Sequence, residues 1–285
     1  MTKPGSGPNG VIDMLREARR LERAEDKPAE IAPPLKTMAS TILSVRIDTL
    51  SFLATIDKIK SFLLEDRLHT IATINPEFII TAQKDEEFRY ILNHTDLNVL
   101  DGTGVQLAVE MIHRRICERV TGVDLTWALA QIAAERGYSI FFLGAAEGIA
   151  LGAANRLKHQ YPGLRIAGCY AGRPDEEGLV SRINLTHPDI LLVAFGAPKQ
   201  EKFIFRNKEY LNAKIAMGVG GTFDYIAGVV PRAPAWMRQL GLEWSYRLFK
   251  QPQRIGRIFS ATVRFPGAIL MNELFKRTTH LDSSA

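Results

Sequence analysis

The chain has 285 residues, 46% hydrophobic and 24% charged, the proportions of an ordinary soluble globular protein and not of a disordered or fibrous one. No run of 18 or more uncharged apolar residues occurs, because the best candidate, Ile258 to Met271, is broken by Arg264 and Pro266; a spanning helix is excluded. The formal charge of +5 is unevenly placed: from Arg232 to Arg277 nine basic residues face only Glu243 and Glu273, which leaves +7 on that segment and −2 on the remainder.

Residues 1 to about 40, rich in Pro, Gly, Ala and charge, read as a mostly disordered tail with a short amphipathic stretch from Val11 to Leu21. Beyond it, strands and helices alternate. Thr41 to Ile47 and Thr70 to Ile74 are predicted strands, with a helix from Ser51 to Glu65 between them and another opened by Pro76. Leu97 to Leu100 is a strand running into Asp101-Gly-Thr-Gly104, and Val105 to Ile112 a helix. Helices follow at Val123 to Arg136, Glu147 to Gln160, Glu176 to Thr186 and Lys199 to Tyr210. Strands separate them at Tyr138 to Leu143, Arg165 to Tyr170, Asp189 to Phe195 and Lys214 to Val219.

Strands such as Ile190-Leu-Leu-Val-Ala-Phe195 are apolar throughout, as burial on both faces by crossover helices requires. The expected fold is α/β, with a doubly wound, largely parallel, Rossmann-like sheet over 41–231 and a basic helical C-terminal appendage over 232–285. Cys117 and Cys169 have no metal-ligand or redox spacing, and the amino-terminal residues lack the apolar centre of a secretory signal; a reducing, cytoplasmic setting is expected.

In such sheets ligands bind beyond the carboxyl ends of the strands, so the chemistry is sought there. Asp101 suits a general base at a strand end; on local pattern alone a helix cap is the commoner use of such a residue. Gly218-Val-Gly220-Gly221 offers N–H groups to a diphosphate, with Asp224 within reach of ribose hydroxyls; a tight turn is the alternative. Phe223 replaces the third glycine of a dinucleotide fingerprint, and no Gly-Lys-Ser or Gly-Lys-Thr phosphate loop exists. Thr73 and Asn75 present polar side chains at a strand end, or form a turn. Lys199 and Gln200 open a helix whose N–H groups favour a polar ligand, or are simply solvated surface residues, and Arg119 is a phosphate ligand or one half of a surface ion pair. In the appendage, Arg247, Lys250, Arg254 and Arg257 share one helical face interrupted by Pro252, among interspersed aromatics, as in a segment lying on an anionic membrane or in a solvated basic face. No Asp-X-Asp, His-Glu-X-X-His or Cys-X-X-Cys occurs, so no metal and no cofactor are expected; nucleic acid, a third partner for the basic segment, is not expected because neither a binding motif nor a basic strip in the body supports it.

Six blocks, in order, carry a resemblance: Thr73-Ile-Asn-Pro-Glu77, Asp101-Gly-Thr-Gly104, Glu118 to Asp124, Phe195 to Glu201, Gly218 to Tyr225 and Arg232 to Trp244. Together the chain resembles the WecG/TagA/CpsF glycosyltransferases from about Thr41 to Phe265. The resemblance implies an inverting, metal-independent transfer of N-acetylmannosamine, N-acetylmannosaminuronic acid or glucose. The sugar moves from a UDP donor to a polyprenyl-diphosphate-linked sugar in teichoic acid, common antigen or exopolysaccharide synthesis. The enzyme would sit peripherally on the inner face of the plasma membrane, with its oligomeric state open. It implies Asp101 as catalytic base, Thr73 and Gln200 at the reacting sugars, Asn75 and Asp224 at the nucleoside, and Arg119 lining the pocket. Gly102, Gly104, Gly220 and Gly221 would shape the substrate site, and Arg247, Arg254 and Arg257 would meet phosphates. A non-catalytic binding protein on the same fold is the competing class.

Overall fold

The computed structural model describes residues 39–114, 116–234, 236–237, 240, 242–250 and 255–282. All but the last two residues of the predicted tail lie outside the described residues. Eight strands, β1 (Ala39–Ile42), β2 (Val45–Asp48), β3 (His69–Ile74), β4 (Leu97–Leu100), β5 (Ser139–Gly144), β6 (Arg165–Tyr170), β7 (Ile190–Ala194) and β8 (Ile215–Gly218), form one sheet. Its order is β1-β2-β4-β3-β8-β7-β5-β6, with every neighbouring pair parallel except β1 and β2.

The helices in chain order are α1 (Phe52–Phe62), α2 (Pro76–Ala82), α3 (Glu86–Asn93), α4 (Thr103–His113), α5 (Gly122–Arg136) and α6 (Ile149–Gln160). After these come α7 (Leu179–Asn184), α8 (Lys199–Arg206), α9 (Thr222–Ala227), α10 (Glu243–Lys250), α11 (Ile255–Phe259) and α12 (Phe265–Asp282). A π-helical turn at Ser260–Arg264 joins the last two. The expected single strand over Thr41 to Ile47 is instead an antiparallel hairpin, turning at Leu43 and Ser44 with φ of 47° and 64°. These are the positive angles of a two-residue hairpin turn, adopted without the Gly or Asn that announces one.

Local chemistry sets the helix boundaries. Ser51 Oγ accepts the Ala54 N–H to start α1, Pro76 occupies the first turn of α2, and Gly137 closes α5 in the left-handed region at φ 76°. Alternate strand residues then divide between two faces, as the two-residue period dictates. Ile71, Val99, Ile140, Phe142 and Leu192 pack under α1, α5, α6 and α9. On the opposite face Ala72, Ile74 and Leu100 meet α2, α3 and α4, while Phe141, Leu143, Leu191 and Val193 meet α7 and α8. The carboxyl ends of β4, β3, β8, β7 and β5 thus stand side by side.

The C-terminal helices close back over that edge. Phe265 is 2% exposed and joins the core under α2 and α4, with its ring against Gly104. Pro252, the expected break, and Arg254 lie outside the described residues, as do the side chains of Arg247, Lys250 and Arg257.

Candidate active site

A cleft of about 450 Å³ opens over the five strand ends. Thr73, Asn75, Asp101, Gly102, Gly104, Arg119, Gln200, Gly220, Gly221 and Asp224 all line it, and Trp244, Ile258, Ala261 and Thr262 roof it from the C-terminal segment. The lining from Thr73 to Asp224 is gathered because parallel strands all deliver their carboxyl ends to one edge.

Asp101 follows β4, with its N–H donating to the Ile74 carbonyl at 2.8 Å. Its side chain does not cap α4. The N-cap there is Gly102, which makes no side-chain cap bond and takes φ 91°, a conformation that would strain any residue with a Cβ. Instead Asp101 Oδ2 accepts the Gly122 N–H at 3.4 Å, at the positive end of the 15-residue α5. The carboxylate is thereby aimed across the cleft, where it can take a proton from a bound hydroxyl.

Asn75 serves the fold and the cleft together. Its Oδ1 accepts the Glu77 and Phe78 N–H groups at 2.9 and 3.2 Å, capping α2, which turns Nδ2 away from that helix end. Thr73, buried at the end of β3, lies beneath Gly122, where a Cβ would meet its Oγ1 at 3.7 Å.

The glycine loop after β8 keeps most of its donors for the protein. Val219 N–H goes to the Val193 carbonyl, Thr222 N–H to the Val219 carbonyl and Gly220 N–H to Gln200 Oε1, so Gly221 supplies the loop's remaining N–H beyond the strand. Gln200 is 1% exposed. Its Oε1 also accepts Gly196 N–H at 3.0 Å, while Nε2 donates to Glu201 Oε1 at 2.7 Å.

Arg119 pairs not with its neighbour Glu118, which accepts the Phe52 N–H, but with Glu243 of the C-terminal segment at 3.7 Å. Arg232 lies deeper. Its guanidinium makes two bonds to Asp124, at 2.7 and 3.2 Å, and one to Thr121 Oγ1 at 3.2 Å. Burial opposes the Arg232 charge, but the Asp124 bonds outweigh that and hold its pKa above the usual arginine value. The sequence gives no individual role to Arg232, Asp124, Glu201 or Glu243: all four fall in blocks of the resemblance, but no local pattern pairs Arg232 with Asp124. Among the described residues no three His, Cys, Asp or Glu side chains cluster as metal ligands would, and no helix is long and apolar enough to cross a membrane.

A largely parallel α/β sheet with the Asp101 carboxylate and two guanidiniums lining a cleft at its strand ends places a candidate ligand site where proteins of the doubly wound class bind their ligands. Residues 40–279 match the glycosyl transferase WecG/TagA/CpsF family, and the chain belongs to that family: it is a glycosyltransferase. It is 34% identical over 209 residues to the N-acetylglucosaminyldiphosphoundecaprenol N-acetyl-beta-D-mannosaminyltransferase of Bacillus subtilis (strain 168), covering 73% of this chain and 81% of that one. The protein of the same name from Staphylococcus aureus (strain MRSA252) is 33% identical over 226 residues, 78% of this chain and 89% of the other.

Proposed function

We propose that this transferase moves N-acetylmannosamine, with inversion and without a metal, from a UDP donor to an N-acetylglucosamine carried on a polyprenyl diphosphate. The acceptor and the sugar are those in the names of its relatives. Asp101 takes the proton of the acceptor hydroxyl as that oxygen bonds to the anomeric carbon. The bond from that carbon to the UDP oxygen breaks, and UDP departs. Arg119, Arg247, Arg254, Arg257 and the Gly221 N–H balance the charge gathering on the leaving diphosphate. Asn75 Nδ2 and Asp224 hold the nucleoside. Thr73 and the second hydrogen of Gln200 Nε2 meet the sugars.

The observation that carries this reading is the placement of Asp101: in a cleft lined from five strand ends, held by the first N–H of α5 across the cleft and not by the start of its own helix α4. Exposed Phe259, Val263, Leu270 and Met271 beside Arg264 suit a peripheral seat on an anionic membrane, where the lipid acceptor resides. The test is UDP release from a panel of UDP-sugars with a synthetic polyprenyl-diphosphate-N-acetylglucosamine, in EDTA. Wild-type protein should turn over UDP-N-acetylmannosamine, and Asp101→Asn should lose about 10²- to 10⁴-fold in kcat while retaining UDP binding. Near-normal turnover by that variant removes Asp101 from the role, and inhibition by EDTA removes metal independence.

A further inference from the structure

We propose that Glu201 is a positioning residue for the transfer reaction: its buried carboxyl fixes which end of the Gln200 amide faces the two glycine loops that floor the cleft. The inference rests on the transferase reading only for its effect on turnover.

Two backbone donors converge on Gln200. Gly196 N–H, after β7, and Gly220 N–H, after β8, both point at one atom, Gln200 Oε1, each at 3.0 Å. That single oxygen ties together two loops 24 residues apart in the chain. An amide can present either oxygen or NH₂, and only the oxygen can satisfy two donors; a flipped amide would set NH₂ against both. Orientation is therefore decisive, and it leaves Nε2 needing an acceptor in a place where Gln200 is 1% exposed. Glu201 Oε1 supplies it at 2.7 Å from a side chain that is itself 4% exposed.

On the side of the sheet the pair is tightly packed. A Cβ on Gly218 would stand 2.5 Å from Glu201 Oε1 and 2.6 Å from Gln200 Nε2, so both side chains lie directly on the β8 backbone. Burial pushes the Glu201 carboxyl up to about 7, against the opposing Gln200 hydrogen bond. Ionised or protonated, the carboxyl keeps an oxygen able to accept from Nε2, so the clamp holds on either side of neutrality. Glu201 does not line the cleft; Gln200, Gly196 and Gly220 do. It acts on substrate only through them.

The experiment compares Glu201→Leu, which removes the acceptor, with Glu201→Gln, whose amide oxygen replaces it. Hydrogen exchange at the Gly196 and Gly220 amides needs no substrate. It should speed up about tenfold or more in Glu201→Leu and stay within about threefold of wild type in Glu201→Gln. kcat/KM for the donor should follow the same order, falling about tenfold or more only in Glu201→Leu. The reciprocal variant Gln200→Glu/Glu201→Gln keeps acceptor facing loops and donor facing acceptor. It should keep both glycine amides protected, and it decides the matter if Glu201→Leu does not fold. Unchanged glycine exchange in folded Glu201→Leu, or loss of protection in Glu201→Gln or the reciprocal variant, overturns the proposal. So does wild-type kcat/KM in a Glu201→Leu protein whose glycines exchange fast. Protection in the expected order without any UDP release from wild-type protein would instead overturn the function proposed above.

Discussion

Arg232 and Asp124 are 108 residues apart in the chain and face each other through two hydrogen bonds, Nη1 to Oδ1 at 2.7 Å and Nη2 to Oδ2 at 3.2 Å. The pair fastens the start of the C-terminal segment to the first turn of α5, the helix whose leading N–H holds Asp101. Both side chains are largely buried, at 14% and 13% exposure, so removing one partner takes from the other its two charge-assisted bonds where water can do little to replace them. Arg232→Met and Asp124→Asn should each lower the free energy of unfolding by about 3 kcal/mol, and the double variant by less than their sum. Urea unfolding of the four proteins measures this. Additive losses would show that the two side chains do not act as a unit.

Two neighbouring glycines should respond differently to alanine. At Gly218 the new methyl meets the Gln200–Glu201 pair below 3 Å, and overpacking of that kind costs about 1–3 kcal/mol. Gly220 has open space where a Cβ would go but adopts φ +50°, so alanine there pays only the left-handed penalty of about 1–2 kcal/mol. Gly220→Asn should recover part of that loss, whereas Gly218→Asn should be worse than Gly218→Ala. Denaturant midpoints give the order.

Glu201 also leaves a mark on stability against pH. Its folded pKa, about 7, lies above the unfolded value of about 4.5, so the folded state holds the proton more tightly. Its contribution is fully present below pH 4.5 and is lost as pH rises through 7. Glu201→Gln has no such loss. The stability of the variant relative to wild type should therefore climb between about pH 4.5 and 7, by on the order of 3 kcal/mol, and level off above. Thermal unfolding midpoints of both proteins across that window supply the comparison; a constant difference would place the Glu201 proton elsewhere.

The apolar side chains of α12 provide a test of membrane association. Leu270, Met271 and Leu274 are 61%, 57% and 49% exposed. Leu270→Glu/Met271→Glu should reduce binding to phosphatidylglycerol vesicles by about tenfold or more while leaving the unfolding midpoint nearly unchanged. Vesicle co-sedimentation at low and high salt reads both the apolar and the charged contribution.

Much of this was legible from local pattern. The apolar runs of β5 and β7 announced burial on both faces, and the expected segments at Leu97 to Leu100 and Arg165 to Tyr170 coincide with β4 and β6. The helix expected from Lys199 to Tyr210 stops instead at Arg206, and that from Glu176 begins only at Leu179, after Gly178 at φ 73°. The β1–β2 hairpin was hidden because Leu43 and Ser44 carry none of the usual turn chemistry. At the site, the glycines and Asp101 stood out because each follows an apolar strand, a signal contained in a few consecutive residues.

The amino-acid order by itself determined which residues could sit at strand ends, because strand periodicity and glycine punctuation are local and a parallel sheet places all carboxyl ends on one edge. It also located the positive charge. Only the tertiary structure decided how each group is used: Asp101 on Gly122 and not on its own helix, Arg119 on Glu243, Arg232 on Asp124, and the Gly220 donor on Gln200. A hydrogen bond or ion pair is chosen by proximity within a few ångströms, and for residues 20 to more than 100 positions apart that proximity exists only once the sheet has formed and the C-terminal segment has packed against it.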